Sequence, residues 1–123
     1  MRIALVIVLV GHAVAHVVGF VGPWRLISSA ELPYKTTLLA GRIDVGDGGI
    51  RIVGLLWLAM GCAFIAASAA LALRKPEAFA FMAVVAGGSL SLCLVGWPEA
   101  RIGLFVNVAL LVLFAANLRW SVI

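Results

Sequence analysis

Four long apolar runs divide the chain, each set off from the next by a polar or proline-bearing interruption. The first extends from about Ile3 to Gly22 and stops at Pro23. The second runs from about Gly49 to Leu73, the third from about Ala78 to Gly96 and the fourth from about Ile102 to Leu118. Each approaches or exceeds the roughly 20 residues that a helix needs to cross a bilayer. Arg74-Lys75-Pro76-Glu77 reads as a tight turn, with Pro76 suited to the first turn of the next helix. Trp97-Pro98-Glu99-Ala100-Arg101 reads as a second turn. The pattern predicts one domain over 1–123, an all-α, four-transmembrane-helix antiparallel bundle with spans at 3–22, 49–73, 78–96 and 102–118.

A long first loop, 23–48, separates the first two spans. Loops of this length have structure or a job. Thr36 to Ile43 reads as a short helix lying on the membrane surface, capped by Thr36 or Thr37. Gly46-Asp47-Gly48-Gly49 lacks the Lys-Ser/Thr of a phosphate loop and serves to turn the chain into span two. The first span has a competing reading as a signal peptide, from Met1-Arg2 and a cleavage-like Ala13-Val14-Ala15. Its apolar run continues to Val21 and is interrupted by His12, which favours a retained helix.

Composition sharpens this picture. Hydrophobic residues make up 65% of the chain and charged residues 11%, against about 25% charged in a soluble domain. That excludes an ordinary water-soluble protein. The net charge of +4 comes from scattered Lys and Arg that flank the spans as anchors, so no nucleic-acid partner is expected. The expected location is the cell (inner or plasma) membrane, multi-pass, with the lipid bilayer as partner. Arg25, Lys35, Arg42, Arg51 and Arg101 balance Arg2, Arg74, Lys75, Arg119 and the amino group. The second set clusters at helix ends, which favours cytoplasmic termini, and the near balance permits dual insertion. Cys62 and Cys93 lie roughly 14 Å apart in depth at ~1.5 Å per residue, too far for a disulfide. Both read as small core residues. Small-residue stripes (Gly11, Ala15, Gly19; Ala59, Ala63, Ala67; Ala83, Gly87, Ser91) read as internal packing, with a homodimer face as the alternative.

The rare polar residues within the spans carry the chemistry. Counting at ~1.5 Å per residue from the side of loops one and three, His16, Asn107 and Ser91 lie roughly 9 Å deep, Trp57 and Ser89 roughly 12 Å, and His12 roughly 15 Å. Glu99 and Arg101 sit at the rim. Pointing inward, these groups line a pocket that the first loop covers. His12 and His16 share a helix face. They read as neutral hydrogen-bonding imidazoles, as part of a metal site that needs further ligands, as an axial haem ligand, or as a proton relay. Glu99 beside His16 would make an acid–base pair. No nucleophilic triad is visible.

Three motifs carry a resemblance. Gly11-His12-x-x-x-His16-x-x-Gly19-Phe20 is similar to the first span of an uncharacterised family of small bacterial four-helix integral membrane proteins. Arg51-x-x-Gly54-x-x-Trp57-Leu58 resembles its second span, and Trp97-x-Glu99-Ala100-Arg101-x-Gly103-x-x-x-Asn107 its third loop and fourth span. The resemblance covers nearly the whole chain, and the first loop here is longer than the family's. DoxX-type proteins share the overall layout. The resemblance implies the four-helix fold and no established activity. Together these readings lead to a membrane protein that binds a small amphipathic or aromatic ligand or cofactor through His12, His16, Trp57, Ser91, Asn107, Glu99 and Arg101. The cofactor is left open, as is enzymatic activity. The alternatives are a subunit of a larger complex and a small proton-coupled transporter. The latter resembles the small multidrug exporters in outline but lacks their buried Glu in span one, so His would carry the proton.

Overall fold

Helices form where the apolar runs lack proline, and they break where proline or adjacent charges intervene. The computed structural model describes residues 1–27 and 29–121. Its helices are α1 (Arg2–Val21), α2 (Gly46–Ala72), α3 (Ala78–Val95) and α4 (Arg101–Trp120). All four are long and apolar enough to cross a membrane. A helix of twenty residues is about 30 Å long, the thickness of the hydrocarbon core.

α2 begins at Gly46 rather than Gly49, and the reason is local. The Asp44 carboxylate accepts the Gly46 N–H at 2.9 Å and the Thr36 hydroxyl at 2.8 Å. Gly46 turns the chain at φ +70°, and Asp47 places negative charge in the first turn, where it complements the helix dipole. Both hydrogen bonds hold the Asp44 carboxyl below its ordinary pKa, the Gly46 amide contributing most.

The surface helix expected over Thr36–Ile43 is not formed. Strand β1 (Thr37–Leu38) pairs antiparallel with β2 (Ile43–Asp44), Thr37 opposite Asp44 and Leu38 opposite Ile43. Leu39, Ala40 and Gly41 between them have φ of 52°, 57° and 83°. This left-handed turn is incompatible with a right-handed helix and is disfavoured for Leu and Ala. Hydrogen bonds to α3 and the turn beyond it hold it in place: Leu39 N–H donates to the Val95 carbonyl at 2.9 Å and Ala40 N–H to that of Trp97 at 3.0 Å. Helix ends leave such carbonyls without an intrahelical partner, so the hairpin completes the end of α3 while anchoring itself.

α1 packs chiefly on α2, and α3 packs on α4 and on α2; α1 and α4 barely meet. The apolar core occupies one half of the molecule. Leu5, Leu9 and Ala13 of α1 meet Phe64, Ala67 and Leu71 of α2, Ala78, Met82, Val85 and Ala86 of α3, and Leu110 of α4. These positions lie toward the chain termini and the α2–α3 turn. The outward faces are apolar as well: Ile3 is 79% exposed, Ile52 61%, Val84 74% and Ile102 74%. Such a surface aggregates in water and suits lipid.

The small-residue stripes divide. Ala67 is buried and Gly19 packs on Trp57, whereas Gly11 and Ala15 are exposed. The close α1–α2 approach is at Gly61 instead, where a Cβ would stand 3.2 Å from both the Ala13 carbonyl oxygen and His16 Cβ. Cys93 is buried as expected. Cys62 is exposed on the outer face rather than in the core, and both cysteines are free.

Candidate functional site

The half of the molecule opposite the apolar core contains a polar cluster with a cavity above it. α1 contributes His12 and His16, α3 contributes Ser89 and Cys93, and α4 contributes Asn107. All five are buried, Ser89 and Asn107 completely. Charged or polar groups at such positions must find partners, and the pattern of partners here assigns the protons.

His16 Nδ1 lies 2.8 Å from the His12 carbonyl oxygen. A carbonyl only accepts, so Nδ1 carries the proton. In the neutral ring Nε2 then accepts, and the Ser89 hydroxyl donates to it over 2.7 Å. Asn107 Nδ2–H donates to the same Ser89 oxygen over 2.9 Å and toward Cys93 Sγ over 3.5 Å. Asn107 Oδ1 accepts from His12 Nε2–H at 3.2 Å. The donors therefore run in one direction, His12 to Asn107 to Ser89 to His16 and back to the His12 carbonyl. This circuit joins α1, α4 and α3. Among the described residues no buried side-chain nitrogen or oxygen is left unpaired.

Aromatic rings enclose the histidines. Phe64, fully buried, meets His12 edge-on at 4.8 Å between ring centres and His16 at 5.2 Å. The two imidazoles meet edge-on at 4.7 Å, and Trp57 lies 5.1 Å from His16. Trp57 is seated by glycine: a Cβ on Gly19 would stand 2.6 Å from two atoms of the indole. Gly103 lets α4 approach in the same way, because a Cβ there would stand 3.0 Å from Cys93 Sγ and 3.4 Å from His12 Cε1.

Above the cluster is a cavity of about 1130 Å³. His12, His16 and Cys93 lie at its floor and Trp57 on its wall, and the residues of the hairpin and its approach, from Ala30 to Gly41, cover it. Ala15, Val18 and Ile102 also line it, although they are exposed on the outer faces of α1 and α4. The cavity is thus open sideways, between the two helices that barely meet.

The covering loop is tied down at the rim. Lys35 Nζ pairs with Glu99 at 2.6 Å. The hydrogen bond from Lys35 holds the Glu99 carboxyl below its ordinary pKa. Arg25 pairs with Asp47 at 3.3 Å and lies over the Tyr34 ring at 4.0 Å, and the Tyr34 hydroxyl donates to Asp47. Trp24 donates its indole N–H to the Arg51 carbonyl at 3.0 Å and fits against Gly54, where a Cβ would stand 2.9 Å from the indole.

Of the residues singled out in the sequence, His12, His16, Trp57 and Glu99 line the cavity. Asn107 does not line it and is hydrogen-bonded to His12. Ser91 is displaced from the site: it is exposed, and its hydroxyl donates to the Gly87 carbonyl of its own helix at 3.3 Å. Ser89 takes its place. Arg101 is exposed and does not line the cavity. Glu99 is engaged by Lys35, so the expected Glu99–His16 acid–base pair is not formed. The two imidazoles do not form a chelating pair, because both His16 nitrogens have protein partners. Among the described residues no three His, Cys, Asp or Glu groups come together to hold a metal ion. Phe64 and Gly61 escaped the sequence reading, since an aromatic or a glycine in an apolar run carries no signal of its own.

No family model, curated protein or solved structure matches this chain.

Proposed function

We propose that this chain is a multi-pass protein of the cell membrane, an antiparallel four-helix bundle that holds a small amphipathic or aromatic ligand in the cavity above the His12–Asn107–Ser89–His16 circuit. The observation that carries this reading is the cavity itself, about 1130 Å³ with a polar floor and largely apolar walls. Ligand sites combine a mostly apolar lining with a few placed polar groups, and typically span about 300–1,000 Å³. A void of this size in a soluble protein fills with water. Here its side opening lies among apolar outer faces, which favours a ligand arriving from the lipid. His12 supplies polar contact, Trp57 a flat apolar wall, and the Lys35–Glu99 pair closes the rim. The resemblance to a bacterial four-helix membrane family is part of the same proposal; of its motif residues, His12, His16, Gly19, Trp57, Glu99 and Gly103 line the cavity.

The test is a titration of the full chain in phosphatidylcholine nanodiscs with 2-naphthol, a two-ring phenol, reading energy transfer from tryptophan to the probe. Saturable transfer above that of empty discs is expected, partly reduced in Trp57→Phe because Trp97 also lines the cavity and remains a donor. Transfer that does not saturate overturns the reading.

A further inference from the structure

One nitrogen of the circuit is left over once its hydrogen bonds are made. Both His16 nitrogens, the Ser89 hydroxyl and both ends of the Asn107 amide have partners. His12 commits Nε2–H to Asn107 Oδ1, and its other nitrogen, Nδ1, has no partner among the described residues. No buried nitrogen or oxygen there lacks a partner, so Nδ1 is not sealed off. His12 is only 7% exposed and lines the cavity. The geometry points to the cavity, which His12 lines, as the space that reaches Nδ1.

The proton on Nε2 decides what Nδ1 can do. In a neutral imidazole one nitrogen donates and the other accepts. The Asn107 oxygen can only accept, so it fixes the His12 proton on Nε2 and leaves a lone pair on Nδ1 facing the cavity. Asn107 and Ser89 hold this tautomer from behind, and a flip of the His12 ring would break the circuit. The floor thus presents an acceptor, beside the apolar wall of Trp57.

We propose that the cavity selects a ring molecule bearing a hydroxyl, which it donates to His12 Nδ1, over the same ring carrying only acceptor groups. This deepens the ligand-binding reading and rests on it. A phenol or a reduced, hydroxyl-bearing quinol fits. A quinone carbonyl or an aryl ether would set lone pair against lone pair. A site built around a hydrogen bond discriminates strongly against an analogue that lacks it, because its own polar group is then left unpaired.

The experiment compares three probes on the full chain in nanodiscs: 2-naphthol, 2-methoxynaphthalene and 1,4-naphthoquinone. The expected result is 2-naphthol binding at least about tenfold more tightly than either of the others, a hydrogen bond's worth of affinity. His12→Phe is expected to bring 2-naphthol and its methyl ether to equal affinity. If that variant does not fold, the ranking of the three probes on the unaltered chain decides. Equal binding of 2-naphthol and 2-methoxynaphthalene to the unaltered chain overturns the inference while leaving the cavity reading in place. A preference that survives in folded His12→Phe also overturns it. Saturable binding by none of the three overturns the cavity reading together with the inference.

Discussion

Phe64→Ala is expected to destabilise the protein by about 2–4 kcal/mol, one of the two largest effects of a single substitution in this chain. Phe64 is fully buried and lies between the apolar core and the polar cluster, packed on both imidazoles. In a soluble protein such a truncation costs about 3–5 kcal/mol, part of it lost transfer from water and part the cavity left behind. Within a bilayer the unfolded helices remain in an apolar medium, so the transfer part shrinks and the packing part remains. The ring also packs on His12 and His16, so the proposed ligand binding should fall along with stability. Phe64→Leu keeps most of the volume and should cost less than half as much. Equilibrium unfolding in mixed detergent micelles, followed by circular dichroism, measures both. A loss under 1 kcal/mol for the alanine variant would mean that the α1–α2 interface does not depend on this ring.

The second large effect is expected at Asn107. Asn107→Leu preserves approximate volume but removes the acceptor of His12 Nε2–H and the donor to Ser89. Leaving one buried donor unmet costs about 1–3 kcal/mol. Interhelical hydrogen bonds within membranes average nearer 0.6 kcal/mol, because the separated helices find other partners. The burial here is complete and two bonds go at once, so a loss of about 2 kcal/mol is expected. The discriminating control is the double variant His12→Phe with Asn107→Leu. Replacing both partners by apolar groups removes the unmet donor, so the double variant should be more stable than Asn107→Leu alone while still failing to prefer 2-naphthol. Additive losses in the same unfolding assay would show that His12 and Asn107 are not coupled.

The four helices were legible because hydropathy and its interruptions act along the chain, where sequence reads directly. Depth was legible for the same reason: a fixed rise per residue places His12, His16, Trp57, Ser89 and Asn107 in one half of the molecule. Facing was not. Residues two apart on a helix differ by about 200° in direction, so Ser89 and Ser91 share a depth range and point to opposite sides. α3 is apolar nearly all round, leaving no stripe to show which side meets a neighbour. Only its packing against α2 and α4 selects Ser89. The hairpin over 37–44 was hidden for a different reason. Its left-handed Leu39 and Ala40 depend on hydrogen bonds to Val95 and the Trp97 carbonyl, partners distant in sequence. Lys35 likewise claims Glu99 across 64 positions, which removed the expected partner of His16.

The proposed ligand selection depends most on where the protons sit in the His12–Asn107–Ser89–His16 circuit. Nitrogen-15 NMR of histidine-labelled protein in lipid, with and without 2-naphthol, reads this directly. The predicted result is His16 protonated at Nδ1, His12 protonated at Nε2, and on addition of 2-naphthol a shift at His12 Nδ1 larger than at either His16 nitrogen. A His12 proton found on Nδ1, or a His12 Nδ1 signal unmoved by saturating 2-naphthol, would contradict it.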